Sequence, residues 1–120
     1  MEAFFYAHNV IGGRFSGGEP IIAKDPKWAY LYARDVIKGR WKEGEPTIAK
    51  NPEWAYRYAR DIIKGRWKEV EPIIAKHSTY AYLYATDVLG RRWLKAEPTI
   101  RKSRFWNQYK KLFGINDEAI

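Results

Sequence analysis

Cysteine is absent from the 120-residue chain, and histidine is nearly absent. Without cysteine there is no disulfide, no thiolate nucleophile and no thiolate metal ligand. The two histidines, His8 and His77, have no histidine or carboxylate at a spacing typical of metal ligands. Both fall on positions of a sequence repeat where other copies carry Arg34 and Asn51, so we interpret them as substituted repeat positions. We therefore expect neither a metal nor a cofactor.

Long apolar runs are absent too. The first ten residues, MEAFFYAHNV, have neither the basic start nor the long apolar stretch of a signal peptide. No later segment approaches the roughly 20 apolar residues that a membrane span needs. We expect a soluble protein of the cytoplasm that makes no membrane contact.

Motifs of catalysis and phosphate binding are missing as well. The glycine-rich stretch from Gly12 to Gly18, GGRFSGG, lacks the Gly-Lys-Ser/Thr ending of a phosphate-binding loop, and we interpret it as a turn. No nucleophile with a base, and no acid and base pair, stands out along the chain. We predict that the protein is not an enzyme.

Positive charge and aromatic side chains are abundant. The formal net charge is +8, and Phe, Trp and Tyr make up 17% of the residues. Such a charge favours an anionic partner, which can be nucleic acid, an anionic nucleotide or an acidic protein face. Disordered basic segments do not reach this aromatic content. The charge is therefore expected on the surface of a folded domain.

The sequence repeats itself with a period of 26 residues. Segments 28–50 and 54–76 are identical at 19 of 23 positions, whereas 2–24 and 80–102 match segment 28–50 at 13 and 14 positions. In chain order, 2–24, 28–50, 54–76 and 80–102 are the first to fourth copies. Weaker outer copies are typical of terminal repeats, which have a neighbour on one side only.

Each copy predicts a long helix and a short one. Asp25 can cap a helix that begins at Pro26, because proline in the first helical position loses no hydrogen bond. Gly39 is a suitable left-handed residue at the end of that helix. The same signals recur in the next copy as Asn51, Pro52 and Gly65.

The spacing of apolar residues predicts which side of these elements is buried. On a helical wheel one half of the long helix is apolar, and it carries Trp28, Ala29, Tyr32, Ala33, Val36 and Ile37. The rest of the period, RWKEGEPTIAK, has room for one or two turns of α or 3₁₀ helix, with Trp41 and Ile48 facing inward.

These elements predict an all-α fold in which about four 26-residue repeats stack as a short right-handed α-solenoid. Residues 1–102 would form the helical repeat solenoid, and residues 103–120 would form a C-terminal capping helix and tail. In that last part Ser103 can cap a helix over RFWNQYKKLF that ends at Gly114. We expect the final NDEAI to be frayed.

Two resemblances follow from these motifs. The segment EPTIAKNPEWAYRYARDII resembles the variant leucine-rich repeats of bacterial solenoids. The phrase YARDVIKGRW is similar to small repeat proteins of tailed bacteriophages, as is the ending W-x-x-Y-x-x-x-F-G-I at Trp106, Tyr109, Phe113, Gly114 and Ile115. The second resemblance spans nearly the whole chain. It implies a viral origin, the cytoplasm of the host cell as the location, and no particular reaction.

Acidic and basic residues recur together at fixed positions. The acids are Asp35, Asp61 and Asp87, with Glu19, Glu45, Glu71 and Glu97; the bases are Arg14, Arg40, Arg66 and Arg92. A repeated acid beside a repeated base predicts ion pairs that join one repeat to the next. A catalytic carboxylate would more naturally occur once.

A stripe on the long helix is the candidate partner-binding face. Tyr30, Arg34 and Lys38 follow i, i+4, i+8 spacing and are predicted to face outward. The stripe recurs as Tyr56, Arg60 and Lys64, and Tyr82 keeps the aromatic ring in the fourth copy. Such a ladder can grip an acidic protein surface or stack bases and neutralise phosphates. It can also be a solvated helix face whose tyrosines cover the next repeat.

The C-terminal part carries a second basic surface, which can be a contact surface or the solubilising charge of a lid. Its members are Arg101, Lys102, Arg104, Lys110 and Lys111. We predict a non-enzymatic binding protein that recognises a host protein, for which a component of a host defence system is one candidate. The alternative is nucleic-acid or anionic-nucleotide binding by the same basic aromatic ladder. The sequence leaves the oligomeric state open.

Overall fold

The computed structural model describes residues 1–116, and within that range it is all-helical, with no β-strand. Of the tail expected to be frayed, residues 117–120 lie outside the described part. The described residues have a radius of gyration of 16.7 Å and extents of 58 × 21 × 19 Å. A compact domain of this length would have a radius of gyration of about 14 Å. The molecule is therefore elongated along one axis.

Long and short helices alternate along the chain. The long helices begin as α-helix and continue without a break into a π-helical segment. They are α1 (Glu2–Phe5, then Tyr6–Ile11), α3 (Pro26–Tyr32, then Ala33–Ile37), α5 (Pro52–Tyr58, then Ala59–Ile63) and α7 (Ser78–Tyr84, then Ala85–Leu89). The short helices are α2 (Glu19–Ile22), α4 (Glu45–Ile48), α6 (Glu71–Ile74) and α8 (Glu97–Arg101). 3₁₀ turns at Lys68–Val70 and Leu94–Ala96 precede α6 and α8, and α9 (Trp106–Phe113) comes last.

The starts of the central long helices agree with the prediction. The Asp25 carboxylate accepts hydrogen bonds from the backbone N–H groups of Lys27 and Trp28. Asn51 caps α5 in the same way, and Pro26 and Pro52 occupy the first helical positions. At α7, His77 stands in the capping position without a side-chain hydrogen bond.

The ends of these helices differ from the prediction. Gly39 and Gly65 were expected to be the left-handed terminal residues, but Lys38 (φ 62°) and Lys64 (φ 59°) adopt that conformation instead. The reason is the π-helical turn: the N–H of Lys38 bonds to the carbonyl of Ala33, five residues back, so the helix closes one residue earlier. At the equivalent position the outer copies carry glycine, Gly12 and Gly90, with positive φ.

The core runs along the row of long helices. α3 packs against α5 and α5 against α7, and each long helix also contacts a short one. Ala29, Ala33 and Tyr32 are fully buried, as predicted for the apolar half of the wheel, while Trp28, Val36 and Ile37 are partly buried against them. Trp41 and Ile48 of the short segment face inward, which confirms that prediction.

The C-terminal helix starts later than expected. Ser103 was predicted to cap a helix starting with the next residue, but α9 starts at Trp106. The Ser103 hydroxyl instead accepts a hydrogen bond from the N–H of Phe105 and donates one to the carbonyl of Ile100, which forms a tight turn between α8 and α9. Gly114 ends α9 with φ 63°, as predicted.

Candidate interaction surface

The two central tyrosines of the predicted ladder are buried. Tyr30 and Tyr56 are only 2% and 3% exposed, so the prediction that they face outward is wrong. Tyr30 packs against Trp54 of the next long helix, and its hydroxyl donates to Asp61 at 2.5 Å. Tyr56 repeats this with Asp87. The two central long helices, α3 and α5, each have another long helix on either side.

Tyr82, the last aromatic member of the ladder, is half-buried. Its ring stacks on Phe105, with the ring centroids 5.0 Å apart. It therefore joins the fourth copy to the turn before α9 and offers little free ring surface.

The arginines of the ladder lie above the buried tyrosines. The guanidinium of Arg34 is 5.5 Å from the ring centre of Tyr30, and that of Arg60 is 5.0 Å from the ring of Tyr56. Arg34 bonds to the next residue, Asp35, through its Nε at 2.7 Å, and Arg60 bonds to Asp61 at the same distance. Their outer edges remain accessible, because the Arg34 side chain is 48% exposed and that of Arg60 is 37% exposed. The charge of each arginine is largely balanced by its aspartate.

The electrostatics of this network fix its protonation at neutral pH. Hydrogen bonding to Arg60, with a further bond from Tyr30, lowers the pKa of Asp61. Burial and the bond to Asp87 raise the pKa of Tyr56 to about 12. The aspartate is therefore ionised and the tyrosine neutral.

The lysines of the ladder, unlike its arginines, form no ion pair among residues 1–116. Lys38 and Lys64 are exposed. Both hold a left-handed backbone conformation, which costs a residue with a side chain roughly 1–2 kcal/mol. Together with Arg34 and Arg60 they form what we call the cationic ridge, at the π-helical ends of the two central long helices.

The repeated glutamates form ion pairs, but within a copy. Arg40 and Glu45 meet at 2.8 Å, and the same pair recurs as Arg14–Glu19, Arg66–Glu71 and Arg92–Glu97 at 2.7 to 2.9 Å. The connection to the next long helix is a tyrosine hydroxyl, which donates to the glutamate. The tyrosine–glutamate pairs are Tyr32–Glu19, Tyr58–Glu45, Tyr84–Glu71 and Tyr109–Glu97. The prediction of ion pairs that join repeats is thus corrected, because tyrosines make the junction.

The same tyrosine oxygens also accept a backbone hydrogen bond. The N–H of Trp41 donates to Tyr58 at 2.8 Å, and equivalent bonds run from Phe15 to Tyr32, Trp67 to Tyr84 and Trp93 to Tyr109. Hydrogen bonding to Arg40 is the main cause of a lowered pKa of Glu45, to which the bond from Tyr58 contributes. This recurrent network is a structural joint, in which each tyrosine oxygen donates one hydrogen bond and accepts another.

The second basic surface is partly arranged on aromatic rings. Arg101 and Lys110 lie over Trp106 at 5.4 and 5.7 Å, and Arg104 lies over Phe105 at 5.1 Å. Lys102 and Lys111 are exposed. A cation above an aromatic ring is attracted by the ring electrons, so these contacts favour the observed positions of the side chains. Its role as a second contact surface stays a prediction.

The two histidines lie on the surface. His8 and His77 are exposed, and His8 forms a hydrogen bond with its neighbour Asn9. No cluster of three or more metal-ligating side chains occurs among residues 1–116. Within the same range, every helix is too short or too polar to reach across a lipid bilayer.

An apolar surface at the N-terminal end was missed by the sequence interpretation. Phe5, Tyr6, Val10 and Ile11 of the first long helix are 46% to 68% exposed. Their equivalents in the second copy are less exposed: Tyr32 is fully buried, and Leu31, Val36 and Ile37 are partly buried.

Comparisons of this chain with protein-family models, with curated proteins and with solved structures find no match.

Proposed function

We propose that the four copies form a short right-handed solenoid and that the protein is a non-enzymatic binding protein, with the cationic ridge as its contact surface. The solenoid is supported by the recurrence of one tyrosine–glutamate joint along the elongated molecule. The resemblance to bacteriophage repeat proteins makes a host protein with an acidic face the first class of partner to test.

The observation that carries this proposal is the left-handed backbone of Lys38 and Lys64. Glycine would be unstrained there, and the outer copies have it, at Gly12 and Gly90. The two central copies thus keep lysine at a cost in stability. Strain that persists in this way is typical of positions that serve a contact.

The alternative, nucleic-acid binding, has weaker support. Binding of single strands uses exposed aromatic rings on which the bases stack. Tyr30 and Tyr56 are buried, and Tyr82 is stacked on Phe105. The ridge keeps phosphate-binding cations but no free stacking platform.

The test compares stability with binding in the double variant Lys38→Gly, Lys64→Gly. Glycine removes the left-handed penalty but gives the unfolded chain more freedom, so we expect a gain of about 0.5–1 kcal/mol at each position. At the same time we expect recovery of a specific partner from a bacterial lysate on the immobilised chain to fall by at least about tenfold.

The matched control is Lys24→Ala, Lys50→Ala, which removes two exposed charges beyond the short helices. If both double variants retain the partner equally, the ridge is not the contact surface. Salt titration of binding to single- and double-stranded DNA and RNA tests the alternative. Micromolar affinity that falls steeply with salt would favour nucleic acid instead.

A further inference from the structure

A cavity of about 590 Å³ lies between the short helices of the third and fourth copies. Its walls come from α6 with the turn before it, and from α8 with the 3₁₀ turn before it. Sites for small organic ligands have volumes of roughly 300–1,000 Å³. The cavity therefore has the size of a small-molecule site, and its residues do not belong to the cationic ridge.

The wall of this cavity is strongly cationic. Arg66, Lys68, Lys76 and Lys95 line it, and Glu71 is the one acidic residue among them. Glu71 is already engaged, since it pairs with Arg66 at 2.7 Å and accepts the hydroxyl of Tyr84. Within residues 1–116 the three lysines form no ion pair, so about three positive charges face the cavity without compensation. A ligand that matches them carries several negative charges.

The rest of the lining is apolar. Pro72 and Ala75 contribute carbon surface from α6, and the edge of the buried Trp93 ring contributes from the opposite side. An inorganic anion would leave this surface without a partner. A molecule with a planar organic part and a phosphate part would use both the apolar lining and the lysines.

The charge is specific to this junction. At the position of Lys95 the second and third copies carry Glu43 and Glu69. At the position of Thr99, which also lines the cavity, the third copy carries the larger Ile73, whereas the second copy also carries threonine, Thr47. The exchange of an acid for a base therefore distinguishes the fourth copy from the second and third copies.

We propose that this cavity binds a nucleoside polyphosphate. Lys68, Lys76 and Lys95 hold the phosphates, and the base lies on Pro72 and the edge of Trp93. Thr99 leaves the space that an isoleucine would fill.

The test is calorimetric titration of the full chain with ATP, with pyrophosphate as the anion-only probe. We expect ATP to bind at least about tenfold more tightly than pyrophosphate at low salt. Lys95→Glu restores the residue of the second and third copies and should weaken ATP binding by at least about tenfold. The matched control is Lys50→Glu, an equal charge reversal at the position equivalent to Lys76 but outside the cavity.

Three results would overturn the proposal. These are no heat of binding at millimolar ATP, equal affinity for ATP and pyrophosphate, and equal weakening by Lys95→Glu and Lys50→Glu. A thermal melt of each variant confirms that it is folded. Thr99→Ile supplies a second variant without a charge change, and it should also weaken ATP binding by filling the cavity.

Discussion

At the scale of single residues, tyrosine hydroxyls make the joints between neighbouring elements. The hydroxyl of Tyr58 donates to Glu45 at 2.5 Å and accepts from the N–H of Trp41 at 2.8 Å. One oxygen thus satisfies a carboxylate and a buried backbone donor together. A buried polar group left without its partner costs about 1–3 kcal/mol, so the hydroxyl oxygen of Tyr58 contributes substantially to the free energy of unfolding.

The variant Tyr58→Phe removes that oxygen while keeping the ring. We expect the free energy of unfolding to fall by about 1–3 kcal/mol, because the N–H of Trp41 loses its acceptor and Glu45 a donor. Denaturant unfolding followed by circular dichroism measures the change. Tyr6→Phe is the matched control at the equivalent position of the first copy, where Tyr6 is 47% exposed, and it should change stability by less than about 0.5 kcal/mol. Equal effects in both variants would show that the joint contributes nothing.

Local signals were predictable at this scale, while contacts between helices were not. The cap at Asp25 and the buried Ala29 follow from spacing along one helix, and the structure confirms both. Tyr30 was misplaced because a helical wheel divides a helix into one buried and one exposed half. A helix with a neighbour on either side has two buried strips. The bond of Tyr30 to Asp61 spans 31 residues and leaves no mark in the local pattern.

At the scale of elements, the residue before each short helix has nearly the same backbone conformation in all four copies, with φ between −97° and −89°, although its type differs. The first two copies have glycine there, Gly18 and Gly44, whereas the later copies have Val70 and Ala96, each at the end of a 3₁₀ turn. A Cβ added at Gly44 would lie 2.6 Å from the ring of Trp41. The 26-residue period was visible in the sequence, but this close approach depends on ring positions that the sequence does not give.

We therefore predict that Gly44→Ala destabilises the protein by about 1–3 kcal/mol, because the buried Trp41 ring must shift. Gly39→Ala is the control, since a Cβ there meets nothing within 4 Å and the residue has no positive φ. Thermal melting of the two variants side by side measures the difference. A Gly44→Ala protein as stable as Gly39→Ala would mean that the Trp41 ring can shift at no cost.

At the scale of the whole molecule, the repeated carboxylates make stability depend on pH. The pKa values of Glu45, Glu97 and Asp61 are lowered in the folded state, chiefly by hydrogen bonds from arginine. In the unfolded chain these groups take up protons at higher pH than in the folded protein, so stability is lost as the pH falls below about 4.5.

In contrast, burial raises the pKa of Tyr56 and of Tyr109 to about 12. The unfolded tyrosines ionise first, and stability falls again as the pH rises from about 10 to 12.

The expected pH profile is a plateau with two shoulders, measured as the urea midpoint between pH 3 and pH 11. Glu45→Gln should reduce the loss of stability at acid pH, because the variant has one fewer carboxylate that takes up a proton on unfolding. Glu53→Gln is the control, since Glu53 lies at an exposed i, i+4 pair with Arg57, which contributes little to stability. If the acid part of the pH profile is the same in Glu45→Gln as in the unchanged protein, Glu45 does not contribute to the pH dependence.

The regular joint also bears on how such a chain can change in length. In α3, α5 and α7 the joint tyrosine bonds to a backbone N–H 17 residues away and to a glutamate 13 residues away. At α9 these separations are 16 and 12 residues. A unit with the same atoms at both of its borders can be duplicated in the gene without any new contact having to evolve. The helix that closes the series stays in place when this happens. The near identity of the two central copies fits growth from the middle, in which recombination adds or removes whole units and the reach of the protein changes in fixed steps.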